Sequence, residues 1–401
     1  MNQKCIIIGA GASYGYDSSL LEEERTLLGK NLLSRSAEVG ALTEWKYPML
    51  FTTLLDYAKK FSKDAVHFSD IDSEEYLEFI ADQLKCINDA LNANSTIPSP
   101  QTVKKLIDQF QQDFEGTFNR IKEEIQKNKD PNWELRWVAS PLQSALGESW
   151  YLMFEVFKKY SFFYRPNHDA YQRLALSHMN ESYNLISLNY DVIFELAAST
   201  VGMVVQYPTQ NTGLPNTLPL VDPRKIINMA KVHGSINWFN SYSRGINIGE
   251  TKERGYRLLH KMSGLIYSNR VQTEPILIVN LPQLLQIEIQ DILLSGSKYY
   301  EPALLPPIGN YKDYEKVKYF ENNWKAAEDY IKSASELVVI GTSIRDQDTK
   351  LGQLIKNSVL KEIPITIVGS HDAECRIKTL LGGKASNLTF VDSFEEYANK
   401  L

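Results

Sequence analysis

The chain opens with KCIIIGAGAS, residues 4–13, in which a short β-branched run without polar alternation ends at two spaced glycines. Such a run predicts a strand that is buried on both faces and turns directly into a loop of the phosphate-binding type. Gly9 and Gly11 would let the backbone turn tightly and come close to a pyrophosphate. The third glycine of a G-x-G-x-x-G motif would fall at Tyr14, and Gly15 comes one position late. The loop therefore fits dinucleotide binding in part.

Short apolar runs return after residue 180 and alternate with segments of helix length. Helices are expected to begin near Asp348 and Asp372, and a last one at Ser393. This alternation predicts an α/β fold built on a doubly wound, parallel, Rossmann-like sheet. The expected strands lie at 183–188, 203–206, 231–233, 275–279, 336–340, 363–368 and 388–391.

Residues 40–180 carry a different pattern, with apolar residues at steps of three and four over 77–91, 103–125 and 142–157. The residues DSEE at 72–75 are typical of a capping box before the first of these stretches. We therefore expect a helical subdomain at 40–180, inserted into a catalytic domain formed by 1–39 and 181–401. This insertion is a candidate for oligomerisation or for docking a regulator. Residues 207–224 and 241–272 are expected to form loops or a small irregular subdomain.

Composition excludes several classes of protein. With 43 basic and 49 acidic side chains in 401 residues, the net charge of -6 argues against a polybasic nucleic-acid binder. Cys5, Cys86 and Cys375 are too far apart for a C-x-x-C pair, so no zinc site is expected. No apolar run approaches the ~20 residues of a membrane span, and the early run is too short for a signal peptide. We expect a soluble cytoplasmic protein without direct nucleic-acid or membrane contacts.

Two polar residues follow the strand expected at 183–188. Asn189 and Asp191 stand in the sequence SLNYD, residues 187–191. Ligands bind beyond the carboxyl ends of parallel strands, so an amide and a carboxylate are well placed there to bind a substrate. The alternative interpretation is that Asn189 or Asp191 caps the next helix.

A histidine and a hydroxyl-rich loop follow two further strands. His233, in KVHGSINW at 231–238, could accept a proton near neutral pH, and Gly234 would let a ligand approach the backbone beside it. The run LVVIGTSIRD at 337–346 enters a loop whose hydroxyls and N–H groups suit phosphate or ribose oxygens. The alternative for that loop is a helix N-cap formed by Ser343 or Asp346.

Taken together and in this order, these motifs resemble those of the sirtuin-like (SIR2-like) family of NAD-consuming domains, and in particular the stand-alone subunits of bacterial anti-phage defence. The resemblance covers about residues 4–25, 183–240 and 303–397. It implies that NAD+ is the substrate, that Asn189 and His233 are catalytic, and that Asp191 lies near the nicotinamide amide. It also implies that NAD+ is bound by Gly9, Ala10, Gly11, Ala12, Ser13, Gly341, Thr342, Ser343 and Asp346.

The chain departs from protein-deacylating sirtuins in three respects. It lacks their zinc-binding cysteines and a Pro-Asp-Phe-Arg loop soon after Ser13, and it has Gly369-Ser370 where they usually place an asparagine. These losses favour simple hydrolysis of NAD+. Nicotinamide leaves as a neutral molecule, so the step needs help mainly for an oxocarbenium-like carbon. We expect Asn189 to position water or the ribose, His233 to accept a proton, and Asp191 to orient Asn189 or the carboxamide.

The resulting hypothesis is an NAD+ glycohydrolase that releases nicotinamide and ADP-ribose as the effector of an anti-phage system. The resemblance also implies a homo-oligomer and a HerA-type hexameric ATPase as partner. The alternative within the enzyme class is a protein deacylase or an ADP-ribosyltransferase. The alternative outside it is a non-catalytic sensor of NAD or ADP-ribose.

Overall fold

The computed structural model describes most of the chain: residues 3–26, 31–38, 40–61, 68, 71–92, 99–127, 131–208, 222–243, 277–286, 298–304, 318–342, 344, 349–358, 363–382 and 387–401. Its strands are β1 (Gln3–Ile8), β2 (Tyr183–Ser187), β3 (Val204–Gln206), β4 (Ile226–Lys231), β5 (Gly234–Ser243), β6 (Leu277–Ile278), β7 (Lys298–Leu304), β8 (Ala334–Ile340), β9 (Ile365–Val368) and β10 (Leu388–Val391).

The helices fall into two groups along the chain. The first group is α1 (Ala10–Tyr14), α2 (Leu32–Glu38), α3 (Pro48–Phe61), α4 (Ser73–Asn92), α5 (Pro100–Asp113), α6 (Glu115–Lys127) and α7 (Pro131–Phe162). The second group is α8 (Ala170–Ser177), α9 (Ile193–Thr200), α10 (Leu281–Gln286), α11 (Lys318–Ser333), α12 (Thr349–Ser358), α13 (His371–Leu381) and α14 (Phe394–Ala398).

Seven strands form one parallel sheet in the order β10-β9-β8-β1-β2-β4-β3. Helices α8, α9 and α14 pack on one face, and α11, α12 and α13 on the other. The predicted doubly wound α/β fold is therefore confirmed. The central strand β1 explains why: Ile6 and Ile8 enter one apolar core while Cys5 and Ile7 enter the opposite one. The helices expected near Asp348, Asp372 and Ser393 are present as α12, α13 and α14.

One predicted strand is misplaced. The strand expected at 231–233 is β4, which runs over Ile226–Lys231 and ends before Val232 and His233 form a turn. Gly234, which directly follows this turn, has a φ of +88°, a left-handed conformation that glycine tolerates. The sequence 226–230 was overlooked because its apolar residues follow a proline and two basic residues without a turn signal between them.

A second sheet was not expected. Strands β6, β5 and β7 pair in that order as an antiparallel sheet, and β5 extends through residue 243. Residues 241–243, expected to be loop, are thus strand, whereas 244–272 lie outside the described residues. In the other expected loop, residues 209–221 also lie outside them, and residues 223–225 form a single 3-10 turn.

Helices α2 to α7 share one hydrophobic core, in which the long helix α7 contacts α3, α4, α5 and α6. Charged side chains satisfy helix ends within this core. Asp56 of α3 accepts hydrogen bonds from the N–H groups of Gly116 and Thr117 in the first turn of α6, at 2.9 and 2.8 Å. Helix α8 packs instead against α9 and α14 on the parallel sheet. The role of residues 40–180 in oligomerisation or regulation stays a prediction.

A buried carboxyl group joins α7 to α3. Glu148 is 1% exposed, and its Oε2 accepts hydrogen bonds from the N–H groups of Met49 (3.0 Å) and Leu50 (2.8 Å) at the start of α3. Its Oε1 has no hydrogen-bond partner among the described residues. Burial raises the pKa of Glu148 from its usual 4.5 to about 8, although the two N–H groups favour the charged form.

This raised pKa predicts a pH-dependent stability. Between pH 4.5 and 8 the folded chain holds a proton on Glu148 that the unfolded chain has released, so this stabilisation is full at low pH and is lost as the pH rises through 8. The slope is at most about 1.4 kcal/mol per pH unit. We expect Glu148→Gln to remove this slope when urea unfolding is measured from pH 5 to 8. Glu123→Gln, at an exposed position of α6, controls for the lost charge. Equal slopes in wild type and Glu148→Gln would contradict the prediction.

Candidate functional site

The candidate site lies at the carboxyl edge of the parallel sheet. From β1 the chain moves to β2 and to the edge strand β3, returns to β4 between them, and later crosses to β8, β9 and β10 on the other side of β1. The crevice between β1 and β8 is therefore the topological switch point, where open α/β sheets bind ligands. The loops after β1, β2 and β8, which contain the residues singled out from the sequence, all end at this edge.

Glycines in the loop after β1 and in the loop after β8 keep the two backbones in contact. The N–H of Gly11 donates to the carbonyl of Gly341 at 2.8 Å, and the N–H of Gly9 donates to Ile340 at 2.9 Å. A Cβ on Gly9 would lie 2.5 Å from the Cβ of Thr342, and one on Gly341 would lie 2.0 Å from a backbone nitrogen in α1. The predicted need for glycine thus has a specific cause in loop-to-loop packing. The Gly11 N–H is already hydrogen-bonded within the protein.

The hydroxyl of Ser13 joins three elements. Ser13 is fully buried in α1, and its Oγ lies 2.8 Å from the Nδ2 of Asn189, 2.8 Å from the hydroxyl of Tyr171 and 3.3 Å from the Oδ1 of Asp191. A serine hydroxyl donates one hydrogen bond and accepts two. Since an ionised carboxylate only accepts, Ser13 donates to Asp191 and accepts from Asn189 and Tyr171. The structure thus brings together three residues predicted separately.

Asn189 has one buried polar atom left over. Its Nδ2 is committed to Ser13, and its backbone N–H donates to the Oγ of Ser187 at 3.2 Å. Its Oδ1 has no hydrogen-bond partner in the described part of the chain, although the residue is 5% exposed. Leaving a buried acceptor unpaired costs about 1–3 kcal/mol, so such an atom at the carboxyl edge of the sheet indicates a ligand site.

Asp191 supports the start of α9. Its Oδ1 accepts the N–H of Ile193, the first residue of that helix, at 3.0 Å, but the N-cap position is Val192, so Asp191 satisfies an N–H group of the helix start without being its N-cap. Asn189 makes no such contact and is held by Ser13 instead. Burial raises the pKa of Asp191, and the positive charge of Lys231 opposes that rise.

Two buried charged residues beside this turn, Lys231 and Glu195, were missed. Lys231 at the end of β4 is fully buried, and its Nζ donates to the Asp191 carbonyl oxygen (2.5 Å) and to Glu195 (2.9 Å). The hydroxyl of Tyr207 also donates to Glu195, at 2.9 Å. Charged residues within the apolar segments NMAKVHG and IFELAAS were the available signal. The contact of Tyr171 with Ser13 could not be predicted from the sequence, because an aromatic residue in an amphipathic helix is expected to be a core residue.

His233 lies in the turn between β4 and β5, not on a strand, and is 7% exposed. Its ring centroid is 6.2 Å from that of Tyr190 and 6.5 Å from that of Trp324. Gly234 was expected to let a ligand approach the backbone. The structure gives it another purpose, because a Cβ there would lie 2.1 Å from the carbonyl oxygen of Ala303 in β7.

The loop after β8 is partly described. Thr342 is half-buried, and its Oγ1 accepts the N–H of Ile344 at 3.3 Å. Ile344 has a φ of +45°, a strained conformation for a β-branched residue. The predicted binding residues Ser343 and Asp346 lie outside the described residues. Ser370, which follows the neighbouring strand β9, caps α13 by accepting the N–H of Ala373 at 3.3 Å.

Within the described ranges, no three His, Cys, Asp or Glu side chains could together hold a metal ion. Among the helices of those same ranges, none combines the length and apolar character needed to cross a membrane.

No protein-family model matches the chain. No curated protein matches it either. Among solved structures, the crystal structure of a Sir2 homolog–NAD complex matches over 100% of this chain and 88% of that chain, with 12% identity and a TM-score of 0.35. This similarity carries no argument about function.

The contact between the two glycine loops is testable by substitution. Gly341→Ala would combine the strain of a φ of +63° with a Cβ 2.0 Å from Ala12 N, and we expect unfolding in urea to show a loss of about 3 kcal/mol or more. Gly382→Ala is the matched control, because its φ is +60° with nothing within 4 Å of an added Cβ. That control should cost about 1 kcal/mol. Similar losses for both variants would show that the loop contact contributes nothing.

Proposed function

We propose that the chain is an NAD+ glycohydrolase, which cleaves the bond between nicotinamide and ribose. The observation that carries the proposal is the buried, unpaired Oδ1 of Asn189, held just after β2 at the carboxyl edge of a parallel sheet. An acceptor in such a place suits a hydroxyl donor, and a ribose hydroxyl or a water molecule supplies one. The order of the loop motifs along the chain, which resembles that of sirtuin-like domains, supports the same substrate.

The roles of the residues follow from their contacts. Ser13 fixes the amide of Asn189 through Nδ2, so Oδ1 is the atom that orients the attacking water or the ribose. His233 accepts a proton from that water or from a ribose hydroxyl as the glycosidic bond breaks. The carboxylate of Asp191 accepts a hydrogen bond from Ser13 and orients Asn189 through that hydroxyl.

We favour hydrolysis over protein deacylation or ADP-ribosylation. Deacylating sirtuins carry zinc-binding cysteines, and Cys5, Cys86 and Cys375 are too widely spaced to supply them. Water is then the acceptor that requires no groove for a protein substrate. NAD+ enters as substrate, and no further cofactor is needed for the step.

The biological role is part of the same proposal. An enzyme that depletes NAD+ harms its own cell unless it is controlled, which suits an effector of anti-phage defence. We propose that the helices within 40–180 provide this control in the cytoplasm, through homo-oligomerisation and a HerA-type ATPase partner. Purification of the chain without any companion, together with full activity alone, would count against the partner.

The catalytic assignment predicts that Asn189→Ala and His233→Ala each lower NAD+ cleavage ~10²- to 10⁴-fold while leaving the fold intact. Nicotinamide release is followed by chromatography of NAD+ incubated with each purified variant, with and without a candidate partner. Asn184→Ala is the matched control, because Asn184 is equally buried on β2 but lies at its opposite end, bonded to Gln3.

Three outcomes separate the hypotheses. Cleavage by wild type and Asn184→Ala, with loss in the two site variants, supports the hydrolase. Wild-type rates in both Asn189→Ala and His233→Ala would remove these residues from the mechanism. Equilibrium binding of NAD+ without turnover under every partner condition would favour the non-catalytic sensor instead.

A further inference from the structure

Lys231 is a fully buried cation in a place where an apolar residue would be expected. It ends β4, between Ala230 and Val232, both of which belong to the apolar core of the sheet. Burying an ammonium group is costly unless it is paired, and a buried ion pair adds little net stability. The contacts of Lys231 therefore point to a role other than stabilising the fold.

The first contact fixes the turn that carries Asn189. The Nζ of Lys231 donates to the Asp191 carbonyl oxygen at 2.5 Å. The carbonyls of Ser187 and Tyr190 accept the N–H groups of Val232 (3.2 Å) and Ile236 (3.0 Å). Three carbonyls of one turn are thus bound to the segment 231–236, which also contains His233. These contacts set the position of the asparagine relative to the histidine.

The second contact is the ion pair of Lys231 with Glu195, which affects the charge balance around Asp191. The ionisable groups that face Asp191 come from four surrounding elements: Tyr16 after α1, Tyr171 on α8, Glu195 on α9 and Lys231 on β4. Burial raises the pKa of both tyrosines, so both are neutral donors at neutral pH. Two carboxylates and one ammonium group remain, and Lys231 compensates one of the two negative charges.

The charge of Asp191 determines the proton order around Ser13. An ionised Asp191 only accepts, which obliges Ser13 to donate to it and to accept from the Nδ2 of Asn189. A protonated Asp191 could donate to Ser13, whose own proton would then point toward Asn189, and the Asn189 amide would have to flip to place Oδ1 in the position that Nδ2 now occupies. That rearrangement would occupy the one atom that the proposed reaction needs free.

We infer that Lys231 is a positioning residue: it holds the Asp191 carbonyl and keeps the Asp191 carboxylate ionised, so that the Oδ1 of Asn189 stays available to substrate. The effect on turnover rests on the proposed function. The effect on the charge of Asp191 does not, and it can be measured without substrate.

The test uses Lys231→Met, Glu195→Gln and the double variant. With Lys231 alone removed, the pKa of Asp191 should rise, so the acid limb of kcat/KM for NAD+ should move about 1–3 pH units to alkaline. Glu195→Gln removes a neighbouring negative charge and should move that limb to acid pH. The double variant restores the original net charge and should return the limb to the wild-type position. It still lacks the contact to the Asp191 carbonyl, so its plateau kcat should stay ~10²-fold low.

Urea unfolding across pH 5 to 8 gives the readout that is independent of NAD+. A carboxyl whose folded pKa is raised stabilises at low pH and loses that contribution as the pH rises. Relative to wild type, stability should therefore fall more steeply with pH in Lys231→Met, and the double variant should restore the wild-type slope. Lys4→Met is the control, since Lys4 is 11% exposed, pairs with Glu181 at 2.9 Å and lies at the amino edge of the sheet.

The outcomes distinguish the two hypotheses. If wild type does not cleave NAD+ but the slopes change as described, the proposed function fails and the charge assignment of Lys231 stands. Unchanged slopes and an unchanged acid limb in Lys231→Met would overturn that charge assignment. A plateau kcat at the wild-type level in the double variant would overturn the role of the carbonyl contact. Should Lys231→Met fail to fold, the double variant is compared with Glu195→Gln, because the two differ only at Lys231: an acid limb further to alkaline in the double variant supports the charge assignment, and coincident limbs and slopes overturn it.

Discussion

The site depends on one buried hydroxyl. Ser13 connects the loop after β1, the turn after β2 and helix α8, which are far apart in the sequence, through contacts to Asn189, Asp191 and Tyr171. Because a hydroxyl has one proton and two acceptor positions, these three contacts use its whole capacity. No freedom is left in the network, and the orientation of the Asn189 amide follows from it. The unpaired oxygen is thus a consequence of complete pairing elsewhere.

Two further constraints keep this hydroxyl in place. The backbone contact between Gly11 and Gly341 fixes α1 against the loop after β8, and neither residue could carry a side chain there without moving the other loop. The ion pair of Lys231 with Glu195 fixes the opposite side, at the turn after β2. The first constraint is steric and the second electrostatic. Together they hold Ser13 between two strand ends, which preorganises the hydrogen-bonding groups around it.

Much of the fold and part of the site could be predicted from the sequence. The features that were missed have identifiable physical reasons. A β-branched run without alternation allowed one interpretation for β1, and Asn189 and Asp191 were found because they directly follow an apolar strand. The antiparallel sheet was missed because its pairs join β5 to segments about 40 to 70 residues away, and no local pattern encodes that register. The sequence does not show that Lys231 and Glu195 are buried, because each is a single charged residue in an apolar segment and their pairing depends on the fold. Tyr171 has an apolar ring that suits a helix core, and only the fold places its hydroxyl against Ser13.

The helical region and the site share the same turn. Tyr190, between Asn189 and Asp191, belongs to the hydrophobic core of helices α2 to α7, and its ring lies 5.5 Å from that of Phe157 in α7. The next residue but one, Val192, enters the same core, and its N–H donates to the Oγ of Ser161, also in α7, at 3.4 Å. Successive residues of one turn therefore alternate between the polar site and the helical core. Packed cores rearrange between discrete packings. A displacement of α7 that moves Tyr190 would therefore also move Asn189, the residue bonded to it. The turn that carries Asn189 and Asp191 is thus packed directly against α7.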